Sequence, residues 1–156
     1  MESYISKFVF LCNFANSLGV INFKNGDKFR GQFKDGRPCG YGTMKYNYSL
    51  PGNLGNEFEE ATYEGSWKAG KRDGHGTITW VDGSQFSGEW KNDKRFEGEM
   101  HMANGTIYKG QFHNDKLHGK GKLLMLSGVI FEGLFTHGVC ESIAKLLYPN
   151  GDIYYG

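Results

Sequence analysis

The stretch 63–83, YEGSWKAGKRDGHGTITWVDG, constrains this chain more than any other, because the chain repeats it. Tyr63, Gly65 and Trp67 alternate with Glu64, Ser66 and Lys68, and Gly76, Ile78 and Trp80 alternate with Thr77 and Thr79. A period of two with unlike faces is the mark of a β-strand. The Ala-Gly-Lys-Arg-Asp-Gly between the two runs carries the glycines that a reversal needs. The unit is therefore a β-hairpin. A lone hairpin is marginal in water, so the copies must pair with one another.

Full copies open at Phe29, Tyr63, Phe86, Tyr108 and Phe131. From Tyr63 onward the steps are 23, 22 and 23 residues, whereas Phe29 to Tyr63 spans 34. The excess falls in 47–62, NYSLPGNLGNEFEEAT, whose Pro51, glycines, asparagines and acidic run mark a loop. The residue missing from the third copy is expected in its turn, where Phe96 or Glu97 replaces the first glycine of the Gly-x-Gly pair. In the fifth copy Ser142 and Ala144 replace both glycines. Upstream, 19–26 matches the second half of the unit and 6–14 reads as a degenerate capping strand, as terminal repeats often do. The expected organisation is one array: a capping segment over 1–28, copies over 29–62, 63–85, 86–107, 108–130 and 131–153, and the start of another at 154–156. The parent protein is expected to continue beyond it.

Aligned in this way, the copies place Phe29, Phe33, Met44, Tyr63, Trp67, Ile78, Trp80, Phe86, Trp90, Met100, Tyr108, Phe112, Phe131 and Phe135 on one face. Arg30, Gln32, Glu64, Lys68, Glu89, Lys91, Lys109, Gln111 and Glu132 fall on the other. The fold class that follows is all-β, an elongated single-layer antiparallel sheet of stacked hairpins. Glycine between two aromatics, as Gly65 between Tyr63 and Trp67, leaves room for rings to lie flat across the backbone. Gly makes up 24 of 156 residues, about twice the usual share. With 15% aromatics beside it, that glycine belongs to ordered β structure and not to a flexible linker.

The pattern Tyr63-Glu-Gly65-Ser-Trp67-Lys-Ala-Gly70-Lys-Arg-Asp-Gly74-His-Gly76 resembles the MORN repeat (membrane occupation and recognition nexus), and residues 19–156 carry it in register. The resemblance implies elongated hairpin arrays that serve as non-enzymatic scaffolds for partner peptides, for further copies of themselves or for membranes.

Catalytic and metal chemistry find no foothold in the sequence. Gly65 to Lys71 mimics the opening of a phosphate-binding loop, but Arg72 stands where a Ser or Thr is needed and the glycines belong to a hairpin. The histidines (His75, His101, His113, His118, His137) lack ligand spacing, and the repeat alone accounts for His75, His118 and His137 near successive turns. No cofactor, metal or catalytic residue is assigned. Cys12, Cys39 and Cys140 are odd in number and lack a CxxC, which fits a reducing setting. The expected location is cytoplasmic, with association to the cytoskeleton or a membrane. A formal net charge of +1 gives no basis for nucleic-acid binding.

Interaction is what remains. A one-layer sheet has no second layer over its apolar face, so the aromatic face is expected to hold a partner peptide or helix through Tyr63, Trp67, Trp80, Phe86, Trp90, Tyr108, Phe112, Phe131 and Phe135. On the polar face Leu124, Leu134 and Leu147 break the rule, and self-association is expected there. Binding to anionic lipid ranks second, because Lys and Arg are interleaved with Glu89, Glu132 and the acidic loop.

Overall fold

Five reversals are built alike, from two residues that both take positive φ. The pairs are Asp35-Gly36, Ala69-Gly70, Asn92-Asp93, Asn114-Asp115 and His137-Gly138, with φ between 49° and 92°. Turns of this hand match the twist of the strands they join, and Gly, Asn and Asp enter them at least cost. The connections between hairpins follow a second scheme. Gly26 N–H donates to Phe23 O at 3.0 Å and Phe23 N–H to Asp27 O at 2.9 Å, and the same pair of bonds recurs at Met102, Met125 and Tyr148.

The computed structural model describes residues 5–10, 17–47 and 60–156. The chain forms two compact units, 1–82 and 83–156. In the first, β1 (Ile5–Phe10), β2 (Ser17–Phe23), β3 (Lys28–Lys34), β4 (Arg37–Lys45), β5 (Glu60–Lys68) and β6 (Lys71–Trp80) each pair antiparallel with the next. In the second the same holds for β7 (Gln85–Lys91), β8 (Lys94–His101), β9 (Ile107–His113), β10 (Lys116–Leu124), β11 (Ile130–Thr136), β12 (Val139–Leu147) and β13 (Ile153–Tyr154). The described residues contain no helix. Each unit is thus the expected antiparallel sheet of stacked hairpins. The capping strand over 6–14 corresponds to β1, with Phe10 opposite Gly19; residues 11–14 lie outside the described residues, as do 48–59 of the loop.

Every hairpin bulges shortly after its turn. Trp67 faces Arg72 while Gly65 faces Gly76, so the second strand carries two extra residues over that step. Gly74 sits in this bulge with φ of 99°, and Gly40 and Gly119 do the same in their hairpins. The third hairpin differs. Its turn, Asn92-Asp93, is complete, and Glu89 faces Glu97 while Trp90 faces Arg95, leaving one extra residue. The missing residue therefore comes from the bulge and not from the turn as expected. A one-residue bulge needs no left-handed glycine, which explains why Phe96 is tolerated in that place.

Candidate interaction surface

The rings nominated by the sequence are the core. Tyr63, Phe86 and Tyr108 have no exposed surface, and Trp67, Trp80, Trp90, Phe112 and Phe135 are buried too; Phe131 is half-buried. The expectation of an open aromatic face is corrected for eight of the nine. Glycine pairs and edge-to-face packing close a one-layer sheet over its own rings. A Cβ at Gly76 would strike the Tyr63 ring, and one at Gly121 the Tyr108 ring. The tyrosine lies across this bare backbone, and its hydroxyl donates to a carbonyl three residues on: Tyr63 to Ser66 O and Tyr108 to Gln111 O, both at 3.0 Å. Tyr63 meets Trp67 edge-on at 5.2 Å, and Tyr108 meets Phe112 at 5.3 Å. Three opening rings also hold the second ring of a neighbouring hairpin: Phe29 on Trp67 at 5.1 Å, Phe86 on Phe112 at 5.1 Å, Tyr108 on Phe135 at 5.2 Å. Burial pushes the Tyr108 phenol up to about 12, opposed by a hydrogen bond from the His118 backbone.

Arginine lies over this layer. The Arg72 guanidinium is 5.6 Å from the Tyr63 ring centre, and that of Arg95 is 5.0 Å from Phe112 and 5.8 Å from Phe86. Arg95 is also tied to the next turn, where its Nε and its backbone N–H donate to Asp115 Oδ1 at 3.2 and 3.1 Å. Backbone bonds between neighbouring hairpin ends do the same elsewhere, Gly70 N–H to Pro38 O at 2.8 Å and Gly138 N–H to Leu117 O at 2.9 Å.

The open surface is the polar face. In the second unit Glu97, Lys109, Lys120, Lys122, Glu132, Leu134 and Ser142 border a trough of about 650 Å³ whose floor is the backbone of Gly98, Gly110, Gly121 and Gly133. A smaller trough of about 400 Å³ crosses Gly19, Gly31 and Gly42 in the first unit, between Leu18, Arg30 and Tyr41. Glycine thus has a second effect: it seats rings on one face and leaves a furrow on the other. Cross-strand neighbours along the larger trough run Glu99, Lys109, Lys122, Glu132, Lys145. Lys122 Nζ lies 2.8 Å from Glu132 Oε1 and Lys109 Nζ 3.8 Å from Glu99 Oε2. The hydrogen bond from Lys122 holds the Glu132 carboxyl below its ordinary range. In the first unit the Tyr41 hydroxyl donates to Glu64 Oε1 at 3.1 Å, which raises the phenol.

The three leucines divide. Leu134 faces Lys120 and Ser142 and stays 47% exposed beside the trough. Leu124 and Leu147 both face Ile130 and belong to a continuous cross-strand row, Ile107, Leu124, Ile130, Leu147, Ile153. The isoleucines escape a search for oddities on the polar face one strand at a time. Their signal is position: the residue just before each opening ring is Lys28, Thr62 or Gln85 in earlier copies and isoleucine at 107, 130 and 153.

The MORN-repeat family model matches residues 29–47, 63–85, 86–96, 108–125 and 131–153, well over half of the chain. The chain belongs to the MORN-repeat family. Among curated proteins it is similar to alsin of Homo sapiens, 29% identical over 109 residues, and to MORN repeat-containing protein 3 of Xenopus laevis, 34% identical over 90 residues. The two matches span 66% and 54% of this chain but 6% of alsin and 34% of the Xenopus protein. Among solved structures, the SAS-4 TCP domain of Drosophila melanogaster, in complex with a proline-rich motif of Ana2, aligns over the whole chain at 14% identity and a TM-score of 0.39. MORN repeats mediate protein or membrane interactions and are not a catalytic fold.

Proposed function

We propose that this MORN array is a non-enzymatic protein-interaction scaffold whose partner lies along the polar-face trough of the second unit. The observation that supports this is the trough itself: an apolar backbone floor, a partly exposed Leu134 and a rim that mixes Lys and Glu. Such a rim selects a partner segment by charge register, while the floor and Leu134 take its aliphatic side chains. Phe86, Trp90, Tyr108, Phe112, Phe131 and Phe135 of the same unit serve this reading indirectly, as the ring layer on the other side of the sheet. Membrane lipid fits less well, because a lipid-binding face calls for an unbroken basic stripe and here Glu132 interrupts the lysines and Glu99 ends the row.

The test is selection of displayed peptides against the array, followed by affinity measurement. Binding is expected to fall at least tenfold for Leu134→Glu and for Lys120→Glu, and to be unchanged for Leu126→Glu and Lys116→Glu, which lie off the trough. Equal losses at all four positions, or sedimentation with anionic vesicles that the same trough variants abolish, would overturn it.

Association between copies is the second reading, supported by the unbroken aliphatic row of Ile107, Leu124, Ile130, Leu147 and Ile153 on the mainly charged face. Light scattering checks it. A Leu124/Leu147→Ser variant is expected to lower the mass of the assembly and Leu134→Ser to leave it unchanged. A wild-type mass equal to one chain at high micromolar concentration removes this reading.

A further inference from the structure

At the turn end of the first unit, residues that face one another carry like charge. Lys34 on β3 faces Arg37 on β4, and Lys68 on β5 faces Lys71 on β6. All four are exposed. Like charges directly opposite one another on a sheet are destabilising, yet the arrangement recurs in successive hairpins. The two turns are fastened side by side, since Gly70 N–H donates to Pro38 O at 2.8 Å. Between them lies a recess of about 480 Å³ lined by Lys34, Asp35, Arg37, Cys39, Lys68 and Ala69. Over residues 34–37 and 68–71 four cations stand against one carboxylate, Asp35, a formal charge of +3 where the whole chain carries +1.

Among the described residues none of these four side chains is paired with a carboxylate. The second unit treats its turn-end cations differently. There Lys94 Nζ donates to Asn114 Oδ1 at 2.7 Å, Arg95 is paired with Asp115 at 3.2 Å, and Lys91 Nζ lies 3.3 Å from the Phe96 ring centre. Those cations serve the fold; the four of the first unit only repel one another within it. Lys28 also faces Lys45 at the other end of β3 and β4, but that pair stands alone, because Lys45 next meets Thr62 on β5. Only the turn end carries cations on four consecutive strands.

We propose that the turn end of β3 to β6 docks an acidic segment of a partner protein, whose carboxylates lie along Lys34, Arg37, Lys68 and Lys71. This surface belongs to the first unit and does not depend on the reading of the trough. Neighbouring strands are about 4.8 Å apart, so the four cations cover about 14 Å, the reach of about four or five extended residues. A lone phosphate, smaller than one strand spacing, cannot meet them all. A flat bilayer would touch the turn tips first, where Asp35 stands beside Gly36, Ala69 and Gly70. A narrow segment reaches the recess behind those tips. Its carboxylates also relieve the repulsion within each facing pair.

Fluorescence anisotropy of a labelled oligoglutamate peptide titrated with the full chain tests this. Binding in the micromolar range is expected at about 50 mM salt, weakening as salt rises and screens the exposed charges. Lys34→Gln/Lys68→Gln is expected to weaken it at least tenfold. Lys28→Gln/Lys45→Gln, which removes the same charge at the other end of the strands, is expected to change it less than about twofold. The urea midpoint of Lys34→Gln/Lys68→Gln is expected to match or exceed that of the wild type, because repulsion has been removed, so that its weaker binding is not a loss of fold. The proposal is overturned if the peptide does not bind, if the two variants lose affinity equally, or if the midpoint of the first falls. It is overturned in favour of a membrane if phosphatidylserine vesicles hold the chain more tightly than the peptide does and release it in the same variant.

Discussion

Gly76 acts on Tyr63 more than on its own strand. It gives the ring a floor, so that a bulky residue buries itself on a sheet with no second layer. The glycines of the turns have a different task, since Gly70 has open space around it and is set by its φ of 85° alone. Substitutions separate the two roles. Gly76→Ala forces a methyl into the ring and is expected to cost about 1–3 kcal/mol. Gly70→Asp is expected to stay within about 0.5 kcal/mol, because Asp93 and Asp115 hold the same turn position at positive φ. Urea midpoints measure both. Tyr108 carries a pH signature. Its phenol is pushed up to about 12 in the fold, whereas an unfolded tyrosine titrates near 10. Its contribution is therefore complete below pH 10 and lost as pH rises toward 12, because the unfolded chain gives up the proton first. Tyr108→Phe is expected to flatten that alkaline loss and to cost about 1 kcal/mol at neutral pH for the bond to Gln111 O.

At the level of the hairpin, the strands and their faces were legible because alternation has a period of two and recurs five times, so Phe29, Tyr63, Phe86, Tyr108 and Phe131 find their register without a structure. The bulge was not legible. A missing residue between Trp90 and Gly98 looks the same in sequence whether turn or bulge loses it; only the pairing of Trp90 with Arg95 decides. Exposure was misjudged for a physical reason as well, since a ring's burial depends on what lies across the strand from its glycine, and that is a long-range fact. Leu134 stood out as an apolar residue on a charged face, yet the trough beside it is made of backbone, which leaves no mark in a residue pattern. The link from turn to turn is also invisible in sequence, and it can be weighed. Asp115→Asn keeps a side chain suited to φ of 60° but removes the charge that accepts from Arg95. A loss of about 1 kcal/mol is expected in chemical denaturation, and none if the pair is a surface accident.

On the scale of the whole molecule, no ring contact described in the second unit reaches beyond the adjacent hairpin: Phe86 to Phe112, Tyr108 to Phe135. Cohesion of this kind is a sum of nearest-neighbour terms. Phe135 is buried, but Phe131 is only half-covered and Tyr148 is 43% exposed, so the terms weaken toward β13. Mechanically, such a sheet is a zip fastener. Drawn from its last strand by optical tweezers, the second unit is expected to open tooth by tooth, each step releasing one hairpin of 22 or 23 residues, or about 75 Å of chain. The last tooth should yield at the lowest force. A single rip of the entire unit would mean that tension is shared among all the hairpins at once. If the fastener does open stepwise, a cell could shorten or lengthen the gripping surface by load alone.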